Sequence, residues 1–265
     1  MPTIEVNHAE LYYQEHGDGD ETIVFSHGLL MSSDMFRAQI DFLKSRYRCI
    51  AYDHRGQGRS QVTEDGYDMD NVAKDAAELI EKLDAAPCHF VGLSMGGFVG
   101  MRLAIHQPEL LKSLTLMDTS ADSEPNIRSY RRLAFVGRWL GFGIVAKPVM
   151  RIMFGETFLN DPARTKEYKD WRSRVVGNDR TGATRAAQGV IERDGVYEQL
   201  DQIKTPTLVM VGDEDMATTT EKARRIHEKV PNAGMVTIPR AGHSSSIEQP
   251  EFVTRTIETF LSEVS

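Results

Sequence analysis

The stretch that most restricts how this chain can fold is His89–Ser120, HFVGLSMGGFVGMRLAIHQPELLKSLTLMDTS. An apolar run (Phe90, Val91) enters a glycine-rich turn, GLSMGG. A helical pattern follows to about His106, and a second apolar run ends at Asp118. A strand, a tight glycine turn, a helix and another strand in so short a span predict a parallel sheet with crossover helices. Two chemistries use such a turn. One cradles a pyrophosphate on backbone N–H groups, and the other exposes a nucleophilic side chain at the tip.

A dinucleotide loop requires Gly-x-Gly-x-x-Gly after the strand and an acid roughly 20 residues on. Asp118 could supply the acid, but the glycines do not comply. Counting from Gly92, the second required glycine is Ser94, whose side chain would block close approach of a pyrophosphate. The turn also lies mid-chain, and a Gly-Lys-Ser/Thr phosphate loop is absent. By contrast, Gly92-Leu93-Ser94-Met95-Gly96 satisfies Gly-x-Ser-x-Gly at each fixed position. In that motif the serine sits on a strained strand-to-helix turn. The residues two before and two after it lie where strand and helix nearly touch, so a Cβ there would collide. The start of the helix offers N–H groups and a positive dipole end to developing negative charge.

A serine hydroxyl needs a base to take its proton and an acid to orient that base. With this elbow the chain order is Ser, then Asp or Glu, then His. Two histidines lie late in the chain. His227 falls inside KARRIHEKV, a helical pattern, and reads as structural; His243 follows a strand-like run in IPRAGHSSSIEQP and reads as the base. Four acids are candidates for the third position. Asp213, Glu214 and Asp215 follow the apolar run LVMVG, and Asp118 follows SLTLM.

The rest of the chain fits the same frame. Short β-rich runs (Ile4 to Val6, Leu11 to Glu15, Ile23 to Ser26) open it, followed by a helix-like stretch over Met35 to Leu43 and the run RCIAYD. Val72, Ala76, Leu79, Ile80 and Leu83 recur at helical spacing. Between about 121 and 202 the strand runs stop and the sequence turns helical and rich in arginine and aromatics. This predicts a core of 1–120 and 203–265 with an inserted helical cap at 121–202. Alternation resumes at TPTLVMVGDED, continues through a helix over Glu221 to Lys229 and the run GMVTIP, and ends in a helix starting at Pro250.

Composition excludes several functions. The chain has 265 residues, is 40% hydrophobic and carries a formal net charge of −8. That charge argues against a nucleic-acid partner held through phosphates. Cys49 and Cys88 sit inside apolar runs without zinc spacing, which predicts buried free thiols. The start MPTIEVNHAEL shows no signal peptide, and charges interrupt the most apolar window, so no membrane span, no membrane partner and a cytoplasmic setting are expected. The cap carries slightly more cations than acids. Arg128, Arg131, Arg132 and Arg138 suggest a carboxylate-bearing substrate.

Taken together, these motifs resemble the α/β-hydrolase superfamily across nearly the whole chain outside the cap. SHGLL (Ser26 to Leu30) looks like the family's His-Gly loop, and YDHRGQGRS (Tyr52 to Ser60) looks like its Asp-x-Arg-Gly-x-Gly-x-Ser segment. VGDED and AGHSSSIEQPEFV look like its acid and histidine loops. HGLL, GLSMGG and AGHSSSIEQPE look most like the 3-oxoadipate enol-lactonase-like and small esterase branch. The resemblance implies a mostly parallel sheet flanked by helices, with Asp215 as the acid, since the family pattern is Gly-x-x-Asp. It implies an oxyanion hole from the backbone N–H groups of Leu29 and Met95. It gives His27 a structural role, His54 a structural or rim position, and Arg55, Gly56 and Gly58 the fixing of a turn. Asp213 becomes a loop cap. Serine at 94 disfavours dehalogenase and epoxide hydrolase chemistry, and no Gly-Gly-Gly follows His27.

The expected activity is hydrolysis of a small-molecule ester or lactone through an acyl-enzyme on Ser94, with no metal or organic cofactor. The same three residues could instead cleave carbon–carbon bonds of β-diketone-like substrates or pass the acyl group to peroxide or another acceptor. A ligand receptor that keeps the pocket is the non-enzymatic alternative. Leu30, Phe135, Trp139, Met153 and Trp171 are the expected pocket residues, and Phe142, Met150 and Phe154 are further apolar candidates.

Overall fold

A computed structural model describes residues 2–264. The chain opens with β1 (Thr3–Val6), β2 (Ala9–His16) and β3 (Thr22–Ser26), then α1 (Arg37–Leu43), β4 (Arg48–Tyr52) and α2 (Met69–Lys82). The elbow stretch forms β5 (Cys88–Leu93), α3 (Met95–His106) and β6 (Leu111–Met117). Five helices follow: α4 (Ile127–Leu140), α5 (Phe142–Met153), α6 (Glu156–Asn160), α7 (Thr165–Val176) and α8 (Arg180–Ile191). The chain closes with β7 (Thr207–Gly212), α9 (Thr220–Lys229), β8 (Gly234–Ile238), α10 (Ser245–Glu248) and α11 (Pro250–Val264).

The eight strands form one sheet in the order β1-β2-β4-β3-β5-β6-β7-β8. The β1–β2 and β2–β4 pairs are antiparallel, and every other pair is parallel. This is the α/β-hydrolase fold, as the motif order implied. The central strands are buried along their length because helices cover both faces. Strand alternation then divides the core in two. Val24, Ile50 and Phe90 pack with α2, α3 and α9 on one side. Ile23, Phe25, Cys49 and Val91 pack with α1 and α11 on the other. The stripe expected on α2 is the face it buries: Val72, Ala76, Leu79 and Ile80 are all inaccessible, and Asp68 caps the helix by accepting from Asn71 N–H.

Cys49 and Cys88 are free, buried thiols. Burial pushes both up to about 12, so neither is a nucleophile. The helices α4–α8 fall between β6 and β7, where the sequence switches from alternating runs to helical periodicity. Three of them, α4, α5 and α8, share a cavity with Ser94 and His243.

Candidate active site

Ser94 occupies the turn from β5 into α3 at φ 53°, ψ −109°, a left-handed conformation that costs a non-glycine residue energy. Surrounding contacts hold it there. Ser94 N–H donates to Met117 carbonyl at 2.9 Å, and Ser94 carbonyl accepts from the Thr119 hydroxyl at 2.8 Å. The glycines have the steric purpose expected of them. A Cβ on Gly92 would lie 2.2 Å from the Gly96 carbonyl oxygen, and one on Gly96 would lie 2.0 Å from the Ser26 carbonyl oxygen.

His243 lies between the serine and an acid. Its Nε2 is 2.8 Å from Ser94 Oγ, and its Nδ1 is 2.9 Å from Asp215 Oδ2. All three side chains are buried. Asp215 also accepts from the Ala217 and Thr218 N–H groups and the Thr218 hydroxyl, at 2.8, 2.9 and 2.7 Å. These bonds fix its plane, and with the His243 charge they hold its carboxyl below the usual range despite burial. Burial alone would depress the His243 imidazole. The Asp215 carboxylate more than offsets this and raises it above its ordinary value.

The other candidate acids have different contacts. Asp118, at the end of β6, accepts from Gly212 N–H at 2.9 Å and Ser245 N–H at 3.3 Å. Buried, and close to the Asp215 charge, it is pushed up to about 7. It therefore ties β6 to β7 and to the loop after His243. Asp213 accepts from Arg240 N–H at 2.7 Å and so holds the turn after β8. Glu214 reaches the helical insert, accepting from Thr157 N–H at 2.8 Å.

The Leu29 and Met95 N–H groups donate no hydrogen bond among the described residues. The next N–H, that of Leu30, is spent on Gln57 Oε1 at 2.7 Å, and Gln57 Nε2 lies 3.7 Å from the Met95 sulfur. Gln57 thus links the two loops that carry the free donors. His27 is locked behind the site. Its Nδ1–H donates to Gly28 carbonyl at 2.7 Å, its Nε2 accepts from His54 N–H at 2.9 Å, and burial lowers its pKa. His54 is buried too, with Nε2 3.0 Å from Ser26 Oγ, so it is not at a rim. Arg55 pairs with Asp75 (2.5 and 2.6 Å) and bonds Asn7 and Asp65 carbonyls, fixing the turn that contains Gly56 and Gly58.

The cavity over Ser94 has a volume of about 130 Å³. Leu30 and Met153 line it, as does Phe142. Three other expected wall residues do not. Tyr130, Leu133 and Ala134 are the α4 side chains facing the cavity, and the 100° step per residue turns Phe135 and Trp139 outward, 65% and 67% exposed. Trp171 lies on α7, which packs against α5 outside the wall; its ring sits under Arg174 beside a surface groove. Met150 and Phe154 are buried in the core beside the cavity rather than in its wall. None of the four arginines singled out in the sequence reaches the cavity. Arg128, Arg131 and Arg132 are exposed, and Arg138 bonds the Thr181 hydroxyl.

A different arginine is present. Arg193, buried, lines the cavity with its guanidinium over the Phe98 ring (4.2 Å), Nη1 at 2.7 Å from Val190 carbonyl and 3.4 Å from Glu124 Oε2. Its Nε is buried without a hydrogen bond. Phe98 is one turn along α3 from Ser94. A second unforeseen residue is Glu248 on α10, whose carboxylate accepts from Gly242, Ser244 and Gly155 N–H at 3.0, 3.1 and 2.8 Å. Both looked like ordinary charged helix residues in the sequence. The available hint was an acid closely following the histidine loop, just before a helix-starting proline.

The alpha/beta hydrolase fold family model matches residues 21–250, and the chain belongs to that family. It is similar over its whole length to a solved thermophilic esterase of Thermogutta terrifontis, determined with malate bound: 30% identity, 100% of this chain, 99% of that one, TM-score 0.92. The enol-lactonase of Burkholderia xenovorans LB400 gives 27% identity, 98% and 100% coverage, and TM-score 0.92. A putative carbamate hydrolase, RutD of Pseudomonas syringae pv. syringae, is 29% identical over 96% of this chain and 98% of that protein.

Proposed function

We propose that this protein is a serine-dependent hydrolase of small carboxylic esters or lactones. The observation that carries the proposal is the buried relay in which His243 bridges Ser94 and Asp215 at 2.8 and 2.9 Å. His243 takes the Ser94 proton as Oγ attacks the acyl carbon. The free N–H groups of Leu29 and Met95 receive the oxyanion, and Asp215 stabilises the imidazolium. His243 then protonates the leaving alcohol, and water, deprotonated by the same imidazole, cleaves the acyl-enzyme. The helical insert acts as the cap that closes this chemistry off from bulk water. The esterase, the enol-lactonase and the putative carbamate hydrolase all carry names that imply attack on an acyl carbon, which supports the assignment.

The cavity suggests the substrate. It admits a compact acyl or lactone group against apolar walls, with one polar place at Arg193, Glu124 and Tyr130. Glu124 neutralises Arg193, so this place favours a neutral hydrogen-bond acceptor over the carboxylate suggested by cap arginines. The test is turnover of short p-nitrophenyl esters and small lactones, with a serine-directed phosphonate as label. Ser94→Ala should abolish labelling and lower turnover about 10⁴-fold or more while the fold survives. Wild-type-like rates or labelling in that variant would reject the nucleophile. Glu124→Gln should raise kcat/KM for carboxylate-bearing esters relative to neutral ones; an unchanged ratio would remove Arg193 from recognition.

A further inference from the structure

Helices α4 and α5 form a hairpin whose inner faces wall the cavity through Leu133, Ala134, Phe142 and Val145. Its outer side is unusual. Phe135, Trp139, Leu140 and Ile144 are 65%, 67%, 62% and 63% exposed. Among the described residues they account for four of the eight large apolar side chains left exposed, and they sit together at the hairpin tip. Phe135 and Trp139 touch ring to ring at 6.4 Å. Scattered exposed apolar residues are normal in folded proteins; a projecting aromatic cluster is not.

The charge of the hairpin itself is equally one-sided. Residues 125–155 carry Arg128, Arg131, Arg132, Arg138, Lys147 and Arg151 and no acid, in a chain of net charge −8. Arg131 pairs with Glu192 of α8, and Arg138 bonds Thr181. Arg128, Arg132, Lys147 and Arg151 have no ion-pair partner among the described residues. At about 1.5 Å per residue, Arg132 and Arg128 lie roughly 10 and 16 Å behind Trp139 along α4. Lys147 and Arg151 lie roughly 5 and 10 Å behind Ile144 along α5. An apolar tip is therefore set in a basic collar on the hairpin itself, and Glu156 and Glu214 share the groove that Lys147 and Arg151 line.

We infer that the α4–α5 hairpin docks on an anionic lipid bilayer surface, its apolar tip at the headgroup–acyl boundary and its basic collar among the lipid phosphates. Charge complementarity selects this occupant. A second copy meeting tip to tip would bring the same unpaired cations face to face. No helix is long and apolar enough to cross a membrane, and surface docking requires none. The contact is independent of the chemistry proposed at Ser94. It would bring the outside of the cavity wall against the bilayer.

The test is co-sedimentation of the full chain with vesicles of phosphatidylcholine alone or with about a third phosphatidylglycerol. The anionic vesicles should bind at least about tenfold more protein, and binding should weaken as salt rises. In a Trp171→Phe background, Trp139 emission should shift to the blue on binding. Phe135→Ser/Trp139→Ser/Ile144→Ser and, separately, Arg128→Glu/Arg132→Glu should each abolish sedimentation while circular dichroism stays native. Ser94→Ala should bind like the wild type, which separates this inference from the hydrolase assignment. Absence of vesicle binding would overturn it. So would equal binding by the triple variant, or lipid-free self-association that the triple variant removes.

Discussion

At Asp118 and Asp215 two buried carboxylates stand near one histidine, and their hydrogen bonds divide the work. Asp215 Oδ2 faces His243 Nδ1, while both Asp118 oxygens accept backbone N–H groups. Asp215→Asn should therefore lower kcat/KM by about 10⁴-fold, through loss of the tautomer and of the imidazolium's partner. Asp118→Asn keeps an acceptor for β7 and should cost far less. Its signature is in the pH profile. The Asp118 charge helps to raise His243, so removing it should shift the acid limb of kcat/KM to lower pH. A larger rate loss in Asp118→Asn than in Asp215→Asn would transfer the acid's role.

Among the elements, the loop from β8 to α10 has the most demanding geometry. It carries His243, and Glu248 satisfies its Gly242 and Ser244 N–H groups while reaching Gly155 at the start of α6. A Cβ on Gly242 would lie 2.2 Å from Gly155 nitrogen, so insert and histidine loop meet backbone to backbone. Glutamine at 248 has one carbonyl oxygen for three N–H groups and would aim its own NH₂ at a donor. Glu248→Gln should lower kcat by tenfold or more with a smaller change in KM, and should increase hydrogen exchange at Gly242–Ser244. Unchanged kcat and exchange would reduce Glu248 to a passive core residue. The Ser94 elbow, the His243 loop and the alternating strands were legible in the sequence because their signals are local: fixed spacing, glycines at contact points, period-two and helical patterns. Gln57 and Arg193 were not, because Leu30 and Glu124 lie 27 and 69 residues from them, and neither was the tie from Glu248 to the insert, which spans 93 residues. Phe135, Trp139 and Trp171 misled for a related reason. An amphipathic helix announces that it has an apolar face, and both sides of α4 carry apolar residues. Only packing decides which side walls a cavity.

Across the whole molecule, proton binding sets stability and activity against each other. Asp118 and Glu248 are pushed up to about 7, mainly by burial, from carboxylate values near 4. The folded chain thus holds protons that the unfolded chain has already released. Below about 6.5 the buried His27, His54 and His89, whose pKa values burial lowers, offset this, because the unfolded chain binds protons that they do not. From about 6.5 to 7 Asp118 and Glu248 are unopposed by them and stability should fall, then level off once both states have lost their protons. His243 acts in the same direction. Its raised folded pKa contributes stability below about 6.5 that is lost as pH climbs through the folded value. The lowered Asp215 works oppositely but only in acid, where its contribution disappears as pH falls through its folded pKa. In the proposed mechanism activity has the reverse dependence near neutrality, because there His243 must be unprotonated to accept the Ser94 proton. Turnover should therefore rise with pH through a value above about 6.5, and over that same range, above the ordinary histidine pKa, the denaturation midpoint should drop. Urea titrations at half-unit pH steps from 5 to 8.5, run beside kcat/KM, would show the two curves crossing. In Asp118→Asn/Glu248→Gln the drop in stability above about pH 6.5 should become shallower even though the protein is weaker overall. A wild-type slope in the double variant would locate the bound protons elsewhere.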